Sequence, residues 1–143
     1  KIVILKQVSL FHEISLEELG RVASIAVEKV YGEGEYLIHQ GERHRALFVI
    51  VEGHVEVSGR NEDGQEGTIG VFGPKQSIGE AGLFDDRPSP VSAQVLFDQA
   101  RVLEIAGEEA ARLVRLYPDI GIGFLRSMSS RLRSMENLVL RLG

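Results

Sequence analysis

Gly79, Glu80, Ala81 and Gly82 stand side by side, just ahead of Leu83 and Phe84, in a chain of 143 residues. Three small residues around one carboxylate have a specific chemical use. At a tight turn that feeds one turn of helix, small side chains leave backbone N–H groups accessible, and converging N–H groups hold an anion. The Glu80 carboxylate repels that anion, so it suits a hydroxyl donor such as a ribose instead. A sugar phosphate carries both partners. Without a ligand, Glu80 would be only a helix N-terminal carboxylate favoured by the macrodipole, by ~0.3–1 kcal/mol. The glycines would then be only turn residues.

The same stretch runs on from Ser77 to Val95. A charged, proline-broken turn, Asp85-Asp86-Arg87-Pro88-Ser89-Pro90, leads into a β-prone run, Val91-Ser92-Ala93-Gln94-Val95. Together with Gly79-Glu80-Ala81-Gly82-Leu83-Phe84, this resembles the phosphate-binding cassette of cyclic nucleotide-binding domains. That family includes the sensor modules of the bacterial catabolite activator, of protein kinase A regulatory subunits and of cyclic nucleotide-gated channels. The resemblance implies that Glu80 takes the ribose 2′-hydroxyl and that backbone amides hold the cyclic phosphate. In the family an arginine ahead of the small Ser/Thr-Ala pair also holds the phosphate, and here that place is taken by Val91.

Valine offers a phosphate nothing polar, whereas a guanidinium clamps it with two charge-assisted hydrogen bonds. Two substitutes are legible. Arg87 lies four residues earlier, in a turn that is one or two residues longer than is usual in the family. It can swing inward or pair with Asp85 or Asp86 in a solvated loop. The Ser92 hydroxyl, with the amides, would support weak binding. The expected ligand set is therefore Gly79, Glu80, Ala81, Gly82, Leu83, Arg87, Val91, Ser92 and Ala93, around cAMP or cGMP. Lys75 is a further departure, standing where the family commonly has a glycine after Gly73-Pro74. It is either a surface substitution or a cation near the cassette.

The elements that must position these residues follow from the hydrophobic pattern. Ser15 is an N-cap with Glu18 completing a capping box, and Leu16, Leu19, Val22, Ala23 and Ala26 share one helix face. From Val27 onward short β-prone runs are cut by Gly32, Gly34, Gly41, Gly53, Asp63-Gly64 and Gly73-Pro74, which suggests an antiparallel barrel or jelly roll. After Gly107, residues 108–116 read as a short helix, and Pro118 starts a long one to about Leu142. The layout resembles the cyclic nucleotide-binding fold nearly end to end. The expected class is α+β: an eight-stranded antiparallel β-roll with an N-terminal helix and C-terminal helices. A single domain is expected over 1–143, with a helical lead-in at 1–26, the roll at 27–106 carrying the cassette at 77–95, and closing helices at 107–143.

Composition sets the outer limits. The chain is 43% apolar and 26% charged, with no cysteine, which excludes disulfides and cysteine-based zinc sites. A net charge of −5 argues against direct contact of this domain with nucleic acid. No apolar run approaches the ~18 residues of a membrane span. Residue 1 is Lys rather than Met, so an excerpt of a longer protein is expected, and an effector or membrane domain could lie outside it. The resemblance implies a cytoplasmic location. No nucleophile–base arrangement is legible, so neither an enzyme nor a cofactor is expected. His39, His44 and His54 raise the metal site of a cupin-like barrel, but no His-x-His pair occurs to face both rings inward, and surface histidines are expected. Finally, Leu125, Met128, Leu132, Met135, Val139 and Leu142 repeat with 3-4 spacing along the last helix, the seam of a coiled coil. This predicts a homodimer, or a helix that packs on its own barrel through the first few of these positions. The resemblance also makes this helix the reporter of ligand binding. The alternative function is a binding-deficient relative that keeps the fold for dimerisation.

Overall fold

A computed structural model describes residues 1–143. The chain opens with α1 (Ile2–Lys6), a 3-10 turn (Ser9–Phe11) and α2 (Leu16–Ile25). Six strands follow: β1 (Val27–Tyr31), β2 (Tyr36–Ile38), β3 (Ala46–Arg60), β4 (Glu66–Phe72), β5 (Ser77–Ile78) and β6 (Ser92–Ala106). A 3-10 turn (Glu80–Gly82) lies between the last two. Two helices close the chain, α3 (Gly107–Leu116) and α4 (Pro118–Leu142).

The sheet is antiparallel, in the order β1-β6-β3-β4, with β2 on β6 and β5 on β3. This is the expected roll. β3 and β6 each run for 15 residues, and their pairing shifts register between Ile50 and His54. Each therefore serves as two straight segments, which reconciles six continuous strands with the eight expected. The shift sits at Gly53, whose φ of +93° is left-handed and whose added Cβ would lie 2.5 Å from the Gln99 carbonyl oxygen. Gly53 reads as a turn in the sequence because a turn and a β-bulge need the same backbone.

The first half of β3 is buried on both faces, and this explains its unbroken apolar run, Ala46-Leu47-Phe48-Val49-Ile50. Alternate side chains leave opposite faces of a strand. Leu47 and Val49 join Leu103 and Ile105 in a core shared with α2, α4 and the N-terminal segment. Ala46, Phe48 and Ile50 point the other way, into the roll, with Val55, Val95 and Val102.

The helices match their signals with three differences. Ser15 caps α2, its Oγ accepting from the Glu18 N–H at 3.2 Å, but the Glu18 carboxylate turns to Arg21 at 3.8 Å instead of closing the box. Leu16 is 62% exposed and leaves the buried face to Leu19, Val22 and Ala23. On α4 the packed residues are Ile120, Gly123, Phe124 and Ser127. Of the heptad stripe, only Met128 leans on the core, so the helix packs on its own domain through a different face.

Lys75 is held at φ +74° with its N–H donating to the Ile50 carbonyl at 3.0 Å. A left-handed residue with a Cβ is strained by about 1–2 kcal/mol; glycine relieves that strain but gives part of the gain back through its looser unfolded chain. Lys75→Gly is thus expected to stabilise the fold by about 0.5–1 kcal/mol, read as a melting temperature a few degrees higher. The side chain is exposed and is not among the residues that line the cavity beside the cassette, so it adds no cation there.

Candidate functional site

The cassette is anchored from below. Leu83 is fully buried in the core shared with Ile120 and Phe124 of α4, a burial worth about 1.5–3 kcal/mol. The Phe84 ring packs against Phe124 at 5.8 Å. The turn from Asp86 to Pro90 is strapped to the β2–β3 loop. Gly41 N–H donates to Ser89 O at 2.8 Å, Ser89 N–H donates to Glu42 O at 2.9 Å, and Arg43 donates to the Asp86 carbonyl. Ser89 Oγ also accepts from the Val91 N–H at 3.2 Å.

Between this strapped turn, the Gly79–Gly82 segment and the open end of the roll lies a cavity of about 420 Å³. That is within the range of small-molecule sites. Its apolar wall is Ile38, Val57, Phe72, Ile78, Val91 and Ala93, and its polar rim includes His44, Ser77, Glu80, Asp85 and Arg87. Gly79 enters the 3-10 turn at φ +91°. The N–H groups of Gly82 and Leu83 close the turn on Gly79 O and Glu80 O, both at 3.2 Å. Those of Glu80 and Ala81, at its start, have no partner within the turn.

Seven of the nine residues singled out from sequence line this cavity: Gly79, Glu80, Ala81, Gly82, Arg87, Val91 and Ala93. Two do not. Leu83 turns down into the core, and the Ser92 hydroxyl accepts the N–H of Gln40, in the loop just past β2, at 2.8 Å. Arg87 reaches the cavity without an ion pair. The acid beside it, Asp86, is taken by Arg43 at 3.6 Å.

Glu80 is engaged on one oxygen. Its Oε1 accepts from the Ser77 hydroxyl and lies 3.3 Å from Arg131 Nη1, on α4. Arg131 Nη2 donates in turn to Ser9 Oγ at 2.9 Å. Sequence reasoning missed Arg131, and also the roll residues Ile38, Val57 and Phe72. A signal for Arg131 existed: Ile120, Phe124, Ser127 and Arg131 follow helical spacing from the buried face toward the cassette.

The histidines go to three places. His39 stacks on Tyr36 at 4.6 Å, His54 meets Phe97 edge-on at 6.1 Å, and His44 lines the cavity. No cluster of three His, Asp or Glu side chains is positioned to hold a metal. No helix is long and apolar enough to cross a membrane.

Known proteins resemble this chain in sequence and fold. The family model described as "Cyclic nucleotide-binding domain" matches residues 28–117. The cyclic AMP receptor protein of Thermus thermophilus is 28% identical over 127 residues, covering 89% of this chain and 58% of that protein. The regulatory subunit of cAMP-dependent protein kinase of Mycosarcoma maydis is 32% identical over 120 residues, covering 82% of this chain and 23% of that one. This chain thus spans less than two thirds of either relative. Among solved structures, the N-terminal domain of a transcriptional regulator from Streptomyces coelicolor superposes with a TM-score of 0.81 at 26% identity, over 95% of this chain and 94% of that one. With a matching family model, the fold and the cassette geometry, this chain belongs to the cyclic nucleotide-binding domain family.

Proposed function

We propose that the domain is a regulatory sensor that binds a cyclic nucleotide, cAMP or cGMP, in the 420 Å³ cavity and reports its presence through α4. The observation that carries this reading is the contact of Arg131 with Glu80 at 3.3 Å. It joins the carboxylate suited to a ribose hydroxyl directly to the long helix. The Phe84–Phe124 contact and the burial of Leu83 beside Ile120 provide a second link between the same two elements. A ligand shifts a helix only by binding its two positions unequally. A sugar hydroxyl at Glu80 acts on the group that holds α4, and so meets that condition. The phosphate is held by the amides at the start of the 3-10 turn and by Arg87.

Calorimetric titration with cAMP and cGMP tests this. The wild-type domain is expected to give saturable heat in the micromolar-to-submillimolar range. Glu80→Ala removes a hydrogen bond to a charged group, a loss of about 1.5–3 kcal/mol, so its affinity should drop roughly 10- to 100-fold. Arg87→Ala should fall by a similar factor. Absence of heat at millimolar ligand would sink the reading.

A second reading rests on α4 itself. Leu125, Leu132, Met135, Val139 and Leu142 are each about 60–80% exposed along one stripe, the spacing of a coiled-coil seam. A second copy of this chain is the natural cover. In a domain that proved unable to bind ligand, self-association through this stripe would be the remaining function.

A further inference from the structure

We propose that His44 provides, in its protonated form, the charged donor to the ligand phosphate that Val91 does not, so that the domain takes up its ligand together with a proton. This rests on the reading of the cavity as a phosphate site.

The imidazole is built in beside the anion-holding turn. Its Nε2 lies 3.0 Å from the Ala46 carbonyl oxygen, and a Cβ on Gly79 would come within 2.6 Å of that same oxygen. One carbonyl therefore touches both the histidine and the first residue of the turn. A Cβ on Gly82 would strike the His44 carbonyl. The ring is held flat on Phe48, with centroids 5.1 Å apart and planes 14° from parallel.

That fixation decides the tautomer. A carbonyl only accepts, so Nε2 carries the proton and Nδ1 holds the titratable lone pair. The neutral ring has no donor left for a phosphate, whereas protonation creates one at Nδ1. Burial favours the neutral form and holds the pKa below its ordinary value; the bond to Ala46 and the charge of Glu104 on β6 partly oppose this.

The surrounding charges leave room for a second cation. From the cassette, Glu80, Asp85 and Arg87 face the same cavity. Glu80 is already neutralised by Arg131. Asp85 opposes a phosphate, which leaves Arg87 as the one unpaired positive group to offset both. From the histidine's own segment, Arg43 is taken by Asp86, and Arg45 lies in a separate groove with Glu108 and Glu109 of α3. A bound phosphate favours imidazolium and raises the pKa of His44. By linkage, affinity then rises as pH falls, by at most about tenfold per unit between the free and bound pKa.

The test is calorimetry with cAMP at pH 5.5, 6.5 and 7.5, in two buffers of different ionisation enthalpy, on wild type and His44→Gln. Wild type is expected to take up a fraction of a proton and to bind several-fold to tenfold more tightly at pH 5.5 than at pH 7.5. His44→Gln should lose both effects while melting cooperatively. Equal wild-type affinities without proton uptake, or a variant that keeps both effects, overturns the role of His44 and leaves the sensor reading standing. If cAMP gives no heat at any pH, the sensor reading falls, and His44 is judged with inorganic phosphate as probe, by NMR titration of its ring. A midpoint raised by phosphate, with His12, His39 and His54 as internal controls, supports a proton-linked anion site. An unmoved midpoint overturns it.

Discussion

Val91→Arg is expected to raise affinity for cAMP by about thirtyfold or more. Truncating one partner of a desolvated, hydrogen-bonded charge pair typically costs ~2–5 kcal/mol, and 1.4 kcal/mol is about tenfold in affinity; restoring the group recovers the lower part of that range. The position suits the change. Val91 lines the cavity and is half-buried, and its backbone is pinned by Ser89 on both N–H and carbonyl. An arginine can lay its methylenes where the valine packs and project its fork into the cavity. Poorer apolar packing offsets some of this in stability, by about 1 kcal/mol. The measurement is calorimetric titration of Val91→Arg, of Arg87→Ala and of the double variant. If Arg87 holds the phosphate in the wild type, the double variant binds well although Arg87→Ala alone does not. An unchanged affinity in Val91→Arg would place the phosphate elsewhere.

Gly79→Ala destabilises the domain by about 3 kcal/mol, the sum of left-handed strain and a backbone collision. At φ +91° the residue already favours glycine, and a Cβ would lie 2.6 Å from Ala46 O, on a strand that cannot retreat. Ala46 is paired to Ala106 and sits between the two halves of the core. Gly34→Ala is the control: its φ is +81°, but nothing lies within 4 Å of the added carbon, so it should cost only about 1 kcal/mol. Chemical denaturation of both variants separates strain from collision. Equal losses would mean that the turn shifts freely, and that the cavity beside it is not rigidly shaped.

Much of this was legible from residue types. Ser15 marked the start of α2, Pro118 that of α4, and the cluster from Gly79 to Gly82 marked the cavity rim, because each relies on local backbone chemistry. What escaped depends on partners far along the chain. Ser92 looks like a phosphate donor until Gln40, 52 residues earlier, claims its hydroxyl. Leu83 shares the cassette motif with Glu80, yet a one-turn helix sends neighbours in opposite directions, one to the rim and one to the core. Arg131 escaped because α4 carries two stripes, and the more regular heptad masks the packed one. Phe97, at φ +66° without being glycine, has no local sequence signal at all.

The overhang of α4 makes it a lever. Its 25 residues extend for about 37 Å at 1.5 Å per residue, but its last buried side chain is Ser127. With a fulcrum at Phe124, Arg131 sits roughly 10 Å along the arm and Leu142 about 27 Å. A sideways step of 1 Å at the Glu80 contact would therefore become about 2.6 Å at the tip. A displacement too small to repack the roll is thus large enough, at the far end, to move an apolar side chain by about half the 5.4 Å pitch of a helix.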